Sequence, residues 1–470
     1  MGNFVGRERE LKLLEELYLK KEFQMAVIYG RRRVGKTTLI NKFLANKRSI
    51  YFMAVESSLS ENLHMLSQEM WKFMGNETEM PDFTSLDMIF DKLAELSKDE
   101  PMIFAIDEYP YLAGTYPAIS SILQGYIDHK FKGSKLLLIL CGSSMSFMEH
   151  QVLGYKSPLY GRRNAQIKVE PLDIWHVRRY FKNYTDEEIM YVYACTGGIP
   201  EYLQAFNENM SIDENIKSLF FNSFGRLYEE PSNLLKQELR SPASYNAIIS
   251  AVAVGYNKLS EIASKVGQPT SGCSVLLASL GELGIIEKIS PCGEATTKKT
   301  IYRISDQMFR FWYRFVGPNV SMINAGYGDT VYEQKVKPLL NDFCGPVFEN
   351  VCRAWLIKQN GMLKLPELYS QMGNWWGGNP ITKQQEEIDI LLRGEKSLIV
   401  CECKWRNESI DDKVLEALQR RSALFQYSDK RFFIFSKGAP SPQIKSQLEK
   451  EKNIRFIGYK EIIEDTDFQS

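Results

Sequence analysis

Three stretches in the first third of the chain are apolar without interruption: Val27-Ile28-Tyr29, Met102 to Ile106, and Leu136 to Cys141. Between them apolar residues recur at helical spacing, as in Thr38 to Leu44. Unbroken runs predict strands buried on both faces, and the periodic stretches predict helices that cover them. The expected core is therefore a parallel α/β sheet with its ligands at the carboxyl ends of the strands. The cadence changes near residue 236. Lys258 to Val266 reads as a short amphipathic helix, Gly267 and Pro269 as a turn, and Ser274 to Leu283 as a second helix. Ile285 to Ile289 and Thr300 to Ile304 read as two strands, which completes the order of a winged helix. Further on, Glu386 to Leu392 and Ser397 to Trp405 predict a strand pair turning at Arg393 to Lys396.

At 470 residues the chain exceeds one ordinary core, and the pattern divides it into residues 1–235, 236–316 and 317–470. Its 44% hydrophobic and 25% charged residues are those of a water-soluble globular protein. Formal net charge is zero, so contact with nucleic acid requires a local basic face. No apolar run reaches membrane-spanning length, and the charged start from Met1 to Glu10 lacks a secretory signal. The eight cysteines form no C-x-x-C pair and the four histidines are dispersed. Reduced thiols in a cytoplasm are expected, without structural zinc.

Chemistry enters at Gly30-Arg31-Arg32-Arg33-Val34-Gly35-Lys36-Thr37, a phosphate loop between a predicted strand and a predicted helix that begins with Thr38. Its glycines let backbone N–H groups face phosphate oxygens, Lys36 supplies a cation and Thr37 a hydroxyl for Mg²⁺. Asp107 and Glu108 end the second apolar run. One carboxylate can serve the metal and the other can take the proton of the attacking water. The third run reaches Ser143, expected beside the γ-phosphate as a polar sensor or as a helix cap. Arg162 and Arg163 are candidates for stabilising γ-phosphate charge, within the chain or from a neighbouring subunit. ATP and Mg²⁺ are the ligands these residues imply.

Phe4-Val5-Gly6-Arg7-Glu8, the phosphate loop, Ile106 to Leu112 and Gly197-Gly198-Ile199-Pro200-Glu201-Tyr202-Leu203 together resemble the archaeal-type ATPases related to the AAA+ and STAND groups. The resemblance covers about the first 230 residues. It implies a P-loop NTPase sheet with a helical lid, an adenine pocket lined by Phe4, Val5, Gly6 and Arg7, and a lid turn in which Pro200 touches the nucleotide. No arginine occupies that turn, where many AAA+ proteins place a second sensor.

The wing is basic only at Lys298, Lys299 and Arg303, and the recognition-helix candidate carries almost no basic residue. DNA and a protein partner therefore both stand as readings. The aromatic run Phe309 to Val316 is expected to dock into a domain interface. In the last segment, alternation sets Glu402 and Lys404 on one face of their strand, with Asp389 opposite and Glu349 supplied by an upstream helix. Carboxylates around a hard cation, with a lysine nearby, are suited to phosphodiester cleavage. These four residues resemble the PD-(D/E)XK nuclease superfamily over about residues 340–440, with Ile388-Asp389 in place of Pro-Asp. The resemblance implies a small α/β nuclease-like domain with Glu349, Asp389 and Glu402 as metal ligands and Lys404 as a catalytic lysine. Lys413, Arg420 and Arg421 lie on the helix that follows. Two functions emerge: an ATP-hydrolysing switch controlling a DNA-directed module, or a nucleotide-dependent scaffold for a protein partner with an inactive nuclease-like domain.

Overall fold

The computed structural model describes residues 4–75, 81–294, 299–380 and 383–465. Lys298 lies outside the described residues. Two compact units emerge. One comprises Phe4–Leu172 with Ile199–Glu201; the other gathers Asp173–Gly198 with the described part of Tyr202–Ser470. This division differs from the three expected segments. The helices that follow Leu172 associate with the carboxyl-terminal modules, and only the short turn Ile199–Glu201 stays with the phosphate loop.

The first unit is built on strands β1 (Gln24–Tyr29), β2 (Ser49–Met53), β3 (Met102–Asp107), β4 (Leu136–Gly142) and β5 (Ala165–Lys168). They are all parallel, in the order β2-β3-β4-β1-β5. Every residue of β1, β3 and β4 is buried, which is why these strands read as continuous apolar runs. One face is covered by helices Glu8–Leu19 and Lys36–Leu44 through Leu14, Leu39, Ile40 and Phe43. Helices Leu59–Phe73, Leu86–Leu96 and Ile119–His129 cover the other through Leu66, Phe90 and Leu123. Ser58 and Ser85 cap two of these helices by accepting N–H bonds from Glu61 and Met88. Strand β4 lies between β1 and β3, so its carboxyl end falls between the phosphate loop and the carboxylates.

In the second unit, helices Ile174–Tyr180 and Asp186–Thr196 are tied to the far end of the chain. The buried Trp175 donates its indole N–H to Ile462 O at 2.7 Å. Lys358 bonds Asp173 at 2.8 Å, Lys437 bonds Glu187 at 2.5 Å, and the Tyr459 hydroxyl donates to Asp186 O. Helices Pro242–Ala253, Leu259–Val266 and Thr270–Glu282 are followed by an antiparallel ribbon, β6 (Ile286–Ile289) and β7 (Ile301–Ile304). Phe309, Phe311 and Phe315 are buried, and Phe311 and Phe315 pack edgewise on Phe343. The aromatic run is thus core.

The last sheet has the order β12-β11-β10-β9-β8, from β8 (Gln371–Gly378), β9 (Gln385–Arg393), β10 (Ser397–Lys404), β11 (Asp429–Ser436) and β12 (Ile454–Gly458). Strands β10 to β12 are parallel; β8 and β9 run antiparallel to their neighbours. The β9–β10 turn is held by Glu367, whose carboxylate accepts N–H bonds from Glu395, Lys396 and Ser397. No helix among the described residues is long and apolar enough to cross a membrane.

Candidate nucleotide site and carboxyl-terminal acidic cluster

The phosphate loop joins β1 to helix Lys36–Leu44, so Lys36, Thr37 and Thr38 form that helix's first turn, where free N–H groups favour an anion. Two glycines are required by their surroundings. A Cβ on Gly30 would lie 2.4 Å from Val169 O, and Gly35 has a left-handed backbone with φ 90°. Lys36 is buried and donates to Gly30 O at 2.9 Å and Arg31 O at 3.0 Å. Burial holds its ammonium below the ordinary lysine range, the nearby Arg32 guanidinium pushes the same way, and Glu108 and Asp107 oppose. Val34 is in the core, and its carbonyl accepts from Arg7 at 3.0 Å. The Arg7 guanidinium also reaches Glu170 O, so the Phe4–Arg7 segment braces the loop. Phe4 lies under the Lys42 ammonium, 5.7 Å from ring centre to nitrogen, and Gly6 turns with φ 74° beside Val5.

The structure brings Thr37, Asp107, Glu108 and Ser143 together. The Thr37 hydroxyl donates to Asp107 Oδ2 at 2.6 Å, and the Glu108 N–H donates to Asp107 Oδ1 at 2.9 Å. Ser143 donates both its N–H and its hydroxyl to Glu108 Oε2, at 3.2 and 2.9 Å. Its side chain thus bonds Glu108, and the N-cap of the next helix is Ser144. Glu108 itself has a left-handed backbone, φ 51°, at the junction of strand and helix. Tyr51, not expected from the sequence, donates to Asp107 Oδ2 at 2.9 Å, and burial together with Asp107 raises its hydroxyl above the usual tyrosine range. On the other side, Pro200 lies against Gly35, where an added Cβ would meet its Cγ at 3.7 Å, and Arg33 approaches Glu201 at 3.8 Å.

Arg162 and Arg163 are not brought to this group. They precede β5, which runs parallel to β1 with Ala165 opposite Ala26, so they lie at the amino edge of the sheet. The phosphate loop is at the carboxyl edge. Arg162 is committed to Asp128 by two bonds of 3.1 and 2.6 Å, and Arg163 reaches Leu153 O. The within-chain role expected for either arginine is therefore corrected. The parallel sheet read from the sequence already implied this edge.

In the last sheet, the Asp389 carboxylate accepts the Cys403 N–H at 2.7 Å, just beyond the Cys401–Ile390 pair where the strand ladder ends. Glu402 is flanked by cations: Lys404 at 2.6 Å and Arg421 at 2.7 Å. Arg421 also reaches Glu386 at 3.3 Å, and Arg420 reaches Glu386 at 3.4 Å. Burial, then the charges of Glu402 and Glu349, pushes the Asp389 carboxyl up to about 8. Burial and Glu387 push Glu349 up to about 7. Burial alone would lower Lys404, but Glu402 and Asp389 outweigh it and hold the ammonium above its ordinary value.

The expected grouping of Glu349, Asp389 and Glu402 about one cation is corrected. Among the described residues, no three or more His, Cys, Asp or Glu side chains are placed to hold a metal ion. Alternation explains it. The Cys403 thiol bonds Cys352 on helix Gly345–Gly361, the helix that carries Glu349, so Glu402 faces the opposite side, where Arg421 meets it. All eight cysteines are buried and free.

A parallel sheet, a phosphate loop and an adjacent hydroxyl–carboxylate pair define a P-loop ATPase. The family described as an ATPase domain predominantly from Archaea matches residues 4–206, and one described as "Archaea bacterial proteins of unknown function" matches residues 312–417. An uncharacterized protein of Methanocaldococcus jannaschii is 35% identical over 433 residues, which are 91% of this chain and 93% of that protein. The chain belongs to the same family as that protein; in this chain an archaeal-type ATPase domain is followed by a domain of a family of unknown function. A protein of the same organism described as an uncharacterized ATP-binding protein is 51% identical over 45 residues, 10% of this chain and 76% of its own length. Among solved structures, a Walker-type ATPase of Pyrococcus abyssi shares the fold, with TM-score 0.52 and 24% identity over 66% of this chain and 96% of its own.

Proposed function

We propose that this ATPase is a Mg²⁺-dependent switch whose nucleotide state is read by the turn around Pro200 and passed to a DNA-directed carboxyl-terminal module. One observation carries the reading. Ile199–Glu201 belongs to the phosphate-loop unit, while the chain on both sides of it belongs to the other unit. The chain thus enters and leaves the phosphate-loop unit within three residues, and we take this turn as the element that carries the signal. Thr37 and Asp107 suit Mg²⁺, which takes few protein ligands and completes its shell with phosphate and water. When bound, the metal neutralises charge on the phosphates. Lys36 and the loop N–H groups hold the phosphates, Glu108 takes the proton of the attacking water, and Ser143 fixes the carboxylate that receives it. We read the three helices and ribbon over residues 242–304 as a winged helix, and the last sheet, with Lys404 beside Glu402, as nuclease-like in fold.

The test is DNA affinity against salt, measured on Glu108→Gln held with ATP and on wild type held with ADP. The expected result is a steep loss of affinity with salt and a clear difference between the nucleotide states. Absence of binding at low salt in both states would discard the DNA arm. That outcome would favour the second reading, a nucleotide-dependent scaffold for a protein. Two observations support it: Glu402 is already neutralised by Lys404 and Arg421, and helix Thr270–Glu282 carries no basic residue.

A further inference from the structure

The geometry points to Arg32 as a catalytic residue that contacts the γ-phosphate and supplies, within one chain, the positive charge for hydrolysis. Arg32 lies between the two glycines of the phosphate loop, and its guanidinium donates to the Tyr111 hydroxyl at 2.8 Å. Tyr111 is in helix Tyr109–Thr115, which starts directly after Glu108, and its own N–H bonds Glu108 O at 2.9 Å. The guanidinium therefore spans from the loop to the segment carrying the carboxylates. The Lys36 ammonium feels its charge, as it feels those of Glu108 and Asp107. Arg32 is thus within electrostatic reach of the lysine that holds phosphate, and through Tyr111 it is tied to the segment that carries Glu108.

The alternatives point elsewhere. Arg33, with φ 71°, is turned toward Glu201. Arg162 is bound to Asp128 at the opposite edge of the sheet. The lid turn Gly197-Gly198-Ile199-Pro200 contains no arginine.

Water oxygen bonds to the γ-phosphorus, the bond from that phosphorus to the β–γ bridging oxygen breaks, and ADP leaves with the bonding pair. Glu108 takes a proton from the water, and inorganic phosphate is released. Charge moves onto the bridging and equatorial oxygens, where a guanidinium lowers the barrier most. Tyr111 is a positioning residue: it orients Arg32.

The inference rests on the phosphate-loop assignment, which ADP binding by Lys36→Ala tests separately. The decisive measurements are single-turnover hydrolysis by Arg32→Ala, Arg32→Gln and Arg32→Lys, with affinities for Mg·ADP alone and with aluminium fluoride. The expected rate loss is about 10²- to 10³-fold in all three, since lysine lacks the planar fork. ADP affinity should stay within about threefold, and the extra affinity conferred by aluminium fluoride should disappear. Arg32→Gln keeps a donor for Tyr111, so a purely structural role for the side chain would leave that variant active. Wild-type turnover per molecule should be unchanged on dilution. An Arg32→Ala rate within about threefold of wild type, or an ADP affinity that falls as far as the rate, would overturn the proposal. So would turnover that rises with protein concentration and vanishes in Arg162→Ala or Arg163→Ala.

Discussion

The two acidic sites of this chain are neutralised in opposite ways. At the phosphate loop, Asp107 and Glu108 are bonded by hydroxyls and N–H groups from Thr37, Tyr51, Ser143 and the backbone. In the last sheet, Glu402 and Glu386 are already paired with Lys404, Arg420 and Arg421. Neutral donors orient a carboxylate and leave its charge for a cation or a proton. Guanidinium and ammonium groups cancel that charge, and a metal must displace them. The first arrangement is poised for chemistry, and the second is built first as structure.

The largest effect expected from this contrast is on turnover. Glu108→Gln keeps the shape and the Ser143 contact but cannot take a proton, so hydrolysis should fall by about 10²- to 10⁴-fold with ATP still bound. Turnover at the wild-type rate would remove Glu108 as the base and leave the two sites chemically alike.

Next comes stability. Arg421→Ala takes one cation from Glu402 and one from Glu386, whose side chains are only 9% and 6% exposed, and leaves Lys404 on the first and Arg420 on the second. Because a cation remains on each carboxylate and Arg421 keeps 19% exposure, the loss is that of a hydrogen bond to a charged group, about 1.5–3 kcal/mol. The Arg421→Met, Glu402→Gln pair should recover part of the loss, since Glu402 then carries no charge for Arg421 to meet and Glu386 keeps Arg420. Denaturant unfolding checks both. Equal losses in the single and double variants would mean that charge balance does not hold this cluster.

The same cluster predicts a pH dependence. Asp389 keeps its proton in the fold up to about pH 8, whereas in the unfolded chain it releases it near about 4. Folding therefore takes up a proton between these values. Stability from this group is fully present at the acid end, falls as pH rises through the window and is lost above about 8. Asp389→Asn should flatten the decline of the thermal midpoint across that window. An unchanged slope would show that Asp389 ionises normally in the fold.

Much of the first site was legible in the sequence because its determinants are local. The loop, the strand ending in Asp107-Glu108 and the strand reaching Ser143 each carry their chemistry at a carboxyl end, and a parallel sheet brings those ends together. The same rule removes the within-chain alternative for Arg162 and Arg163: residues before a parallel strand lie at its amino edge. Arg421 was noticed only as a basic residue on a helix. That it bridges Glu386 and Glu402 depends on how helix Asp412–Ser422 returns across the sheet, which no local pattern encodes. Tyr51 gave no signal beyond its place in a strand, because its partner is 56 residues away.

Tyr51 supplies the smallest and most discriminating effect. Its hydroxyl and that of Thr37 both donate to Asp107 Oδ2. If Thr37 turns its oxygen to Mg²⁺, Tyr51 becomes the remaining side-chain donor that orients this carboxylate. Tyr51→Phe removes one hydrogen bond of about 1 kcal/mol, so the Mg²⁺ concentration for half-maximal turnover should rise about fivefold with the maximal rate nearly unchanged. A lower maximal rate at unaltered Mg²⁺ dependence would place the Tyr51 hydroxyl on the path of the attacking water. Asp107 would then share the role of Glu108, and the division of labour between the two adjacent carboxylates would fail. The counterpart in the last sheet, Lys404→Met, removes a full charge from Glu402 and should register in unfolding. One site would respond in its ligand dependence and the other in its stability, as their opposite modes of neutralisation require.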